Sequence, residues 1–260
     1  MKKIPENLRM YGNPPCTVAV IHGGPGAAGE MAPVARELSS RRGVLEPLQT
    51  AGSLDGQVEE LREVLEERGD VPVALVGHSW GAWLAYLTAA AYPALVKKLI
   101  LVASGPFDPH YAGITTETRL NRLDADGREV LASLDGSVDI MSPETFARIG
   151  AMLAKADAFE PIDNISDDID HRPDIFGRVW RDAAKLRKSG QLLERGRLIE
   201  CPVVAIHGDY DPHPADGVRI PLAKVLEDFR FILLEKCGHK PWGERRARDE
   251  FYRVLEKELS

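Results

Sequence analysis

Ser79 is the first candidate for a catalytic residue, because it lies between two glycines in Gly77-His78-Ser79-Trp80-Gly81. An apolar run precedes this pentapeptide and an apolar helical pattern follows it. A tight turn from strand to helix forces strained backbone angles on the serine, and flanking residues without Cβ relieve the crowding. Serine alone is a poor nucleophile, so it needs a base, an acid that orients the base, and donors for an oxyanion. Without these partners, Ser79 would be a small polar residue at an ordinary strand end.

A second glycine-rich turn, His22-Gly23-Gly24-Pro25-Gly26, follows the first convincing apolar run. Such a turn exposes backbone N–H groups, and an oxyanion hole needs donors that are fixed before charge develops. The backbone N–H groups of Gly24 and Trp80 are therefore the predicted oxyanion donors. A phosphate-binding loop is the alternative, but the spacing is not GxGxxG and no P-loop lysine follows. His22 is expected to hold the turn by side-chain hydrogen bonds.

The acid and base candidates come late in the chain. Asp209 and Asp211 follow a buried apolar run, and Asp211 is the preferred partner to orient an imidazole and stabilise its cation. His239 follows Gly238 after the last apolar run, which makes the order Ser79, Asp211, His239. That order is the one found when a glycine-flanked serine lies on an α/β sheet.

Other residues near these motifs have lesser expected parts. Asp209 is expected to order its turn, and Asp108 is a second-choice acid. His207 and His213 are interpreted as structural or surface residues. Trp242 is expected either to wall the pocket or to anchor the C-terminal helix.

Six continuous apolar runs predict strands that are buried on both faces, as in a parallel sheet covered by helices. Amphipathic or wholly apolar helical patterns lie between them, and one of these ends at Gly69, a plausible C-cap. Alternating strands and helices favour a doubly wound α/β sheet. The predicted strands are Thr17–Ile21, Val44–Leu48, Pro72–Val76, Lys98–Ala103, Val203–Ile206 and Arg230–Leu234.

Residues 105–200 interrupt this alternation, because they contain helical patterns and no strong strand. A long helical insertion between two strands is usually a lid over the site, so this segment is predicted to be a helical cap. The alternative is a helical subdomain that only adds stability. Residues 1–104 and 201–260 form the predicted core.

Composition excludes several classes of protein. The 260 residues contain 33 Lys and Arg against 40 Asp and Glu, and a net charge of −7 argues against binding to nucleic acid or to anionic membranes. Three scattered cysteines make neither a disulfide framework nor a CxxC metal site, so a cytoplasmic location with reduced thiols is expected. No signal peptide and no membrane span are predicted. The oligomeric state stays open.

The order HGGPG, GHSWG, GDYD and GHKPW resembles the α/β-hydrolase superfamily over nearly the whole chain, and most of all the proline iminopeptidase branch with its esterase and amidase relatives. The resemblance implies a serine hydrolase that needs no cofactor or metal, with a helical cap that shapes specificity. By position it implies Ser79 as nucleophile, His239 as base and Asp211 as acid. Gly24 and Trp80 would supply the oxyanion N–H groups.

Two departures separate this chain from the proline iminopeptidases. Their D-x-R-G-x-G-x-S turn has no counterpart in "VLEPLQTAGSLDGQ", and their cap glutamates, which hold a substrate amine, match no motif here. Glu160 and the acidic stretch Asp163–Asp170 could substitute for those glutamates. The N-terminal part is also short, so one or two antiparallel edge strands are expected to be missing.

Four functions remain after these observations. The first is hydrolysis of a small carboxylic ester, thioester or amide through an acyl-enzyme, and the second is an aminopeptidase activity on N-terminal proline. The third is another serine-dependent reaction, such as perhydrolysis or C–C bond hydrolysis. The fourth is a non-catalytic ligand-binding protein on the same fold. A serine at position 79 speaks against epoxide hydrolase or haloalkane dehalogenase chemistry, which would use aspartate there. The expected partner is a small molecule or short peptide.

Overall fold

A computed structural model of the chain describes residues 7–132, 138–162 and 169–260. Its main element is a seven-stranded sheet, which confirms the predicted α/β class. Each of the six predicted runs overlaps a strand of this sheet. In chain order the strands are β1 (Leu8–Tyr11), β2 (Cys16–Ile21), β3 (Ala27–Ala28), β4 (Gly43–Pro47), β5 (Val73–His78), β6 (Val96–Val102), β7 (Asp170–His171), β8 (Val203–Gly208) and β9 (Phe229–Leu234).

The strand order in the sheet is β1-β4-β2-β5-β6-β8-β9, and β3 pairs separately with β7. Six of the seven strands run parallel, while β1 pairs with β4 in antiparallel register, Leu8 opposite Pro47. The structure thus contains one of the antiparallel edge strands that the short N-terminal part was expected to lack. Sequence reasoning missed β1 because only Leu8 of its four residues is buried, so it forms no apolar run.

Both faces of the sheet are covered by helices because successive strand residues point to opposite faces and both sets are apolar. In β2, Ala19 and Ile21 pack in one core layer, and Val18 and Val20 pack in the other. The helices are α1 (Ala32–Leu38), α2 (Leu54–Arg68), α3 (Trp80–Ala91), α4 (Ala112–Arg122), α5 (Ala125–Ala132), α6 (Pro143–Asp157), α7 (Pro173–Lys188), α8 (Gln191–Glu194), α9 (Asp216–Val225) and α10 (Arg248–Glu258).

Helix α3 positions the turn that carries Ser79, and it begins directly after it. Eleven of its twelve residues are buried, which explains why its sequence is apolar all round. Helix α2 buries only one face, and it ends at Gly69, whose N–H donates to the Leu65 carbonyl. Gly69 is in an extended conformation (φ −81°) rather than a left-handed one. A glycine fits there because a Cβ would lie 2.7 Å from the Leu65 carbonyl oxygen.

The segment from Gly105 to Glu200 lies in the chain between β6 and β8 and contains helices α4 to α8. Strand β7 belongs to it and pairs with β3, His171 opposite Ala27. On the other side, Trp180 of α7 stacks on Trp83 of α3 with ring centroids 5.7 Å apart. The segment, called the insertion below, is therefore held both to the glycine-rich turn and to the helix after Ser79. Its role as a cap stays a prediction. Within the described ranges, no helix combines the length and apolar character needed to cross a membrane.

Candidate active site

Ser79 lies on a sharp turn at the carboxyl end of β5, the central strand of the sheet. Its backbone has φ 53° and ψ −114°, a region that residues with a side chain rarely adopt. The Ser79 N–H donates to the Val102 carbonyl of the neighbouring strand at 2.9 Å, which holds the strained residue in place. Strain of this kind costs about 1–3 kcal/mol and persists where the surrounding structure over-determines it.

Close backbone packing explains the two glycines around Ser79. A Cβ on Gly77 would clash with the Gly81 carbonyl, and a Cβ on Gly81 would clash with the Ile21 carbonyl at the end of β2. The glycines thus let α3 start directly against two strands. The strained turn that the sequence predicts is the turn that the structure contains.

The second glycine-rich turn lies beside the first. Gly24 has φ +51°, and its carbonyl accepts the Ala27 N–H at 2.9 Å, which closes the turn. His22 is fully buried, with Nδ1 2.9 Å from the Gly23 carbonyl and Nε2 accepting the Gln49 N–H at 3.3 Å. His22 therefore holds the loop. Whether the Gly24 N–H binds an oxyanion stays a prediction.

Trp80, the other predicted oxyanion donor, is the first residue of α3. Its indole is buried and donates to the Gln57 side chain in α2 at 3.1 Å. The side chain is thus committed to the core between two helices. Only the backbone of Trp80 belongs to the turn around Ser79.

Asp211 and His239 meet in the structure although 28 positions separate them. The carboxylate follows β8 and the histidine follows β9, two neighbouring parallel strands that end at the same edge of the sheet. His239 Nδ1 lies 2.9 Å from Asp211 Oδ2, and both residues are buried. An ionised carboxylate accepts only, so Nδ1 carries the proton and Nε2 is left with its lone pair. This is the tautomer that a general base needs.

The charges favour the same arrangement. Burial alone would raise the pKa of Asp211, but the adjacent His239, His207 and His213 outweigh it and hold that pKa well below its usual range. For His239, burial lowers the pKa, but the Asp211 carboxylate outweighs burial and leaves the pKa above 6.5. Asp211 is therefore a buried anion, and it stabilises the cation that His239 becomes when it takes a proton.

His213 is a second histidine on the same carboxylate, which sequence reasoning missed. Asp211 Oδ1 accepts the His213 backbone N–H and lies 2.9 Å from its Nδ1, and the rings of His213 and His239 are 4.7 Å apart. Burial lowers the pKa of His213 to about 4. His213 thus stays neutral at neutral pH and holds one oxygen of the carboxylate while His239 contacts the other. The short spacing Asp-Pro-His was the available signal, because an aspartate readily binds the backbone two residues on.

His78 connects the turn of Ser79 to the loop of His239. Its Nε2 lies 2.9 Å from the His239 carbonyl, and the two rings are 4.8 Å apart. Because Ser79 is the next residue, this contact brings the loop of His239 against the turn of Ser79. Trp242 is buried and packs on His78 at 4.7 Å and on Phe251 of α10 at 6.2 Å, so it anchors the C-terminal helix; its part in walling a substrate pocket stays a prediction.

The remaining candidates are engaged elsewhere. The Asp209 side chain accepts the Cys237 N–H at 3.1 Å, which orders the turn between two strand ends. The Asp108 side chain accepts the His110 N–H at 2.8 Å and caps a short 3-10 helix. His207 Nε2 lies 2.8 Å from the His213 carbonyl and is buried. Of the two aspartates after β8, the one bonded to His239 is Asp211.

The insertion also reaches the loop of His239. The Asp157 carbonyl at the end of α6 accepts the His239 N–H at 3.0 Å. The buried carboxylate of Glu244 accepts N–H groups from Gly238, Phe159 and Glu160 at 2.8–2.9 Å. A cleft of about 260 Å³ opens beside these contacts, and its lining includes Ala158, Ile162, His239 and Trp242. The histidine therefore borders a space that the insertion and the core enclose together.

Asp211, His213 and His239 are also the described residues whose donor atoms, all within 4.8 Å of one another, could hold a metal ion. Hydrogen bonds between the carboxylate and both histidines already account for this cluster. The sequence-based expectation of a reaction without a metal or other cofactor stays a prediction.

We expect kcat/KM for ester hydrolysis to fall with acid through an ionisation above pH 6.5, since the pKa of His239 is raised from that value. If the neutral ring is the base, as the sequence predicts, activity is present above the pKa and is lost as the pH falls through it. His213, with a pKa of about 4, titrates too low to account for the change. The measurement is the pH dependence of kcat/KM on p-nitrophenyl acetate. An activity that stayed level down to about pH 5 would contradict the assignment of His239.

Comparison with known proteins agrees with this geometry. Residues 17–244 match the family described as alpha/beta hydrolase fold. Lipase LipV of Mycobacterium tuberculosis is 32% identical over 117 residues, which are 45% of this chain and 39% of that protein. The matching segments span between 14% and 39% of the curated relatives' lengths.

Solved structures resemble nearly the whole chain. VinJ superposes with a TM-score of 0.69 at 18% identity and covers 97% of this chain and 93% of its own. The proline iminopeptidase of Mycobacterium smegmatis superposes with a TM-score of 0.61 at 17% identity, again over 97% and 93%. At such identities the likeness shows the fold. The family match extends over most of the chain and agrees with the observed sheet: the chain belongs to the α/β hydrolase fold family.

Proposed function

We propose that the protein hydrolyses a small carboxylic ester, thioester or amide with a Ser79–His239–Asp211 triad and a covalent acyl-enzyme. The observation that carries the proposal is the buried pair of Asp211 and His239, whose atoms are 2.9 Å apart beside a serine with φ 53°. A carboxylate, an imidazole and a strained serine serve nucleophilic catalysis when they lie at one sheet edge.

Acylation begins when Ser79 attacks the substrate carbonyl carbon and its hydroxyl proton passes to His239 Nε2. Asp211 stabilises the resulting imidazolium through Nδ1. The carbonyl oxygen becomes an oxyanion and accepts hydrogen bonds from the backbone N–H groups of Gly24 and Trp80. The C–O, C–S or C–N bond then breaks, and the leaving group takes the proton from His239.

Deacylation repeats these steps with water. His239 removes a proton from the water molecule, whose oxygen attacks the acyl carbon. The oxyanion forms again between the same two donors. The ester bond to Ser79 breaks, Ser79 recovers its proton from His239, and the carboxylic acid leaves. The chain returns to its starting protonation state.

The aminopeptidase alternative requires an acidic side chain that faces a substrate amine. Glu160, one candidate for that part, already lies 2.8 Å from Arg246 and 3.5 Å from Arg245. Of the stretch Asp163–Asp170, residues 163–168 lie outside the described part of the chain, and Asp170 is exposed on β7. These ion pairs favour the ester, thioester or small-amide substrate.

The partner that belongs to this proposal is a small molecule or a short peptide. A cytoplasmic location is part of the same proposal, and the three free cysteines support it.

The test is covalent labelling with a fluorophosphonate followed by turnover of two substrates. We expect the probe to modify Ser79, since a triad serine attacks phosphorus as it attacks a carbonyl. We also expect p-nitrophenyl acetate to be turned over faster than proline-naphthylamide. Ser104→Ala is the matched control, because Ser104 lies two residues after the neighbouring strand β6 and its hydroxyl donates to the Gly105 carbonyl; labelling should persist in this variant. A folded chain whose Ser79 resists the probe would refute the proposal.

A further inference from the structure

Glu30 is a buried carboxylate that contacts three separate parts of the site without belonging to the triad. It lies between β3 and α1, and its Oε2 accepts the Gly23 N–H at 2.9 Å. The same oxygen lies 3.0 Å from His78 Nδ1. The other oxygen pairs with Lys240 Nζ at 2.8 Å. One side chain thus joins the glycine-rich turn, the turn of Ser79 and the loop of His239.

These contacts leave little room to move. A Cβ on Gly23 would lie 2.5 Å from Glu30 Oε2, 2.7 Å from His78 Nδ1 and 3.1 Å from Ser79 Cβ. Gly23 therefore stands at the centre of the junction, and the absence of its side chain lets the carboxylate and the imidazole meet beside the serine. A shift of Glu30 would therefore displace each of these neighbours, because close-packed interiors transmit strain.

The ring of His78 makes the junction depend on a proton. Nδ1 faces the Glu30 carboxylate and Nε2 faces the His239 carbonyl, 2.9 Å away. Both partners are acceptors, so two simultaneous hydrogen bonds require one proton more than a neutral imidazole beside a carboxylate holds. A neutral ring could satisfy only one of the two oxygens. Because burial lowers the pKa of His78, the ring is neutral at neutral pH and donates to one of these two oxygens at a time.

Lys240 and His239 flank the His78–Glu30 pair. Burial would raise the pKa of Glu30, but Lys240 and His78 outweigh it and hold that pKa well below its usual range. Burial disfavours a charged ring and lowers the pKa of His78, and the Glu30 carboxylate opposes this change. The ring of His239 lies on the other side of His78.

We propose that Glu30, acting through Gly23 and His78, is a positioning residue. It keeps the glycine-rich turn, the turn of Ser79 and the loop of His239 in mutual alignment. This inference rests on the proposed function. Burying a carboxylate costs desolvation free energy unless its partners stay hydrogen-bonded, and loss of any one partner would be unfavourable. At this junction it fixes donors and base before the reaction begins, which is the condition for electrostatic stabilisation of an oxyanion.

The experiment measures the rate at which a fluorophosphonate labels Ser79, and kcat and KM on p-nitrophenyl acetate. We expect Glu30→Ala to slow labelling and lower kcat by about 10²-fold, the scale of a lost oxyanion donor or a misplaced group, with KM changed less than about threefold. Glu30→Gln should lose only about tenfold, because an amide can keep two of the three contacts with Gly23 and His78. A role limited to stability would not split kcat from KM in this way.

Glu258→Gln is the matched control. Glu258 is another buried carboxylate. It pairs with Lys98 near the start of β6 and with Arg230 near the start of β9, whereas the site lies at the carboxyl ends of the strands. We expect this variant to lower the melting temperature and leave the labelling rate of Ser79 within about twofold, because it lies far from the strand ends that carry the site.

If Glu30→Ala does not fold, His78→Phe provides the same test, since it keeps a ring and removes both nitrogen contacts. It should label about 10²-fold more slowly.

The outcomes separate the two proposals. A parent chain that labels on Ser79, together with a Glu30→Ala variant that labels equally fast, would overturn the positioning role and leave the proposed function standing. Glu30→Gln as slow as Glu30→Ala would overturn it too, as would an equal loss in Glu258→Gln. A parent chain that never labels would overturn both proposals.

Discussion

Ser79→Ala is expected to lower kcat on p-nitrophenyl acetate by about 10⁶-fold, the loss seen when the nucleophile of a serine triad is removed. The hydroxyl forms the bond to the acyl group, and no neighbouring atom can replace it. Ser79 joins the core through its backbone, which donates to Val102 at 2.9 Å, so the alanine variant keeps that contact. Melting temperature and circular dichroism should therefore match the parent chain. The measurement is steady-state turnover with an active-site titration of the parent.

Two results would contradict this expectation. Full activity in Ser79→Ala would move the nucleophile to another residue and end the triad mechanism. A loss of only about tenfold would indicate that the reaction measured is background hydrolysis aided by binding alone.

Asp211→Asn should have the second-largest effect, a decrease in kcat of about 10⁴-fold with a smaller change in KM. The amide cannot serve all three donors that the carboxylate accepts, which are His239 Nδ1 and both N–H groups of His213. When its NH₂ faces His239, the ring must move its proton to Nε2 and can no longer take one from Ser79. Because a buried hydrogen bond is also lost, we expect a stability loss of about 1–3 kcal/mol. Kinetics and denaturant unfolding measure the two effects separately.

Asp209→Asn is the control for that variant. Asp209 lies two residues earlier and accepts the Cys237 N–H, a bond that an amide oxygen can keep. We expect less than about a tenfold change in kcat. If Asp209→Asn were instead the more damaging of the two, the acid would be assigned to the wrong aspartate.

The sequence alone was enough to predict the alternation of strands and helices, because side chains buried on both faces of a parallel sheet leave continuous apolar runs. It failed for Leu8–Tyr11, which lies at the sheet edge and is mostly half-buried. It also predicted that Ser79, Asp211 and His239 follow strands, and parallel strands deliver their carboxyl ends to one edge. Sequence rules therefore predict which loops carry the candidate site residues.

Only the tertiary structure decided which atoms meet within those loops. His78 contacts Glu30 and His239, which lie 48 and 161 positions away in the chain, and no periodicity or turn rule joins them. His213 looked like a structural or surface residue, yet it shares the carboxylate of Asp211 with His239. The ties from the insertion to His239 and Glu244 likewise came from packing. The physical reason is that the direction of a side chain depends on what packs around it, whereas sequence spacing specifies only the element on which it stands.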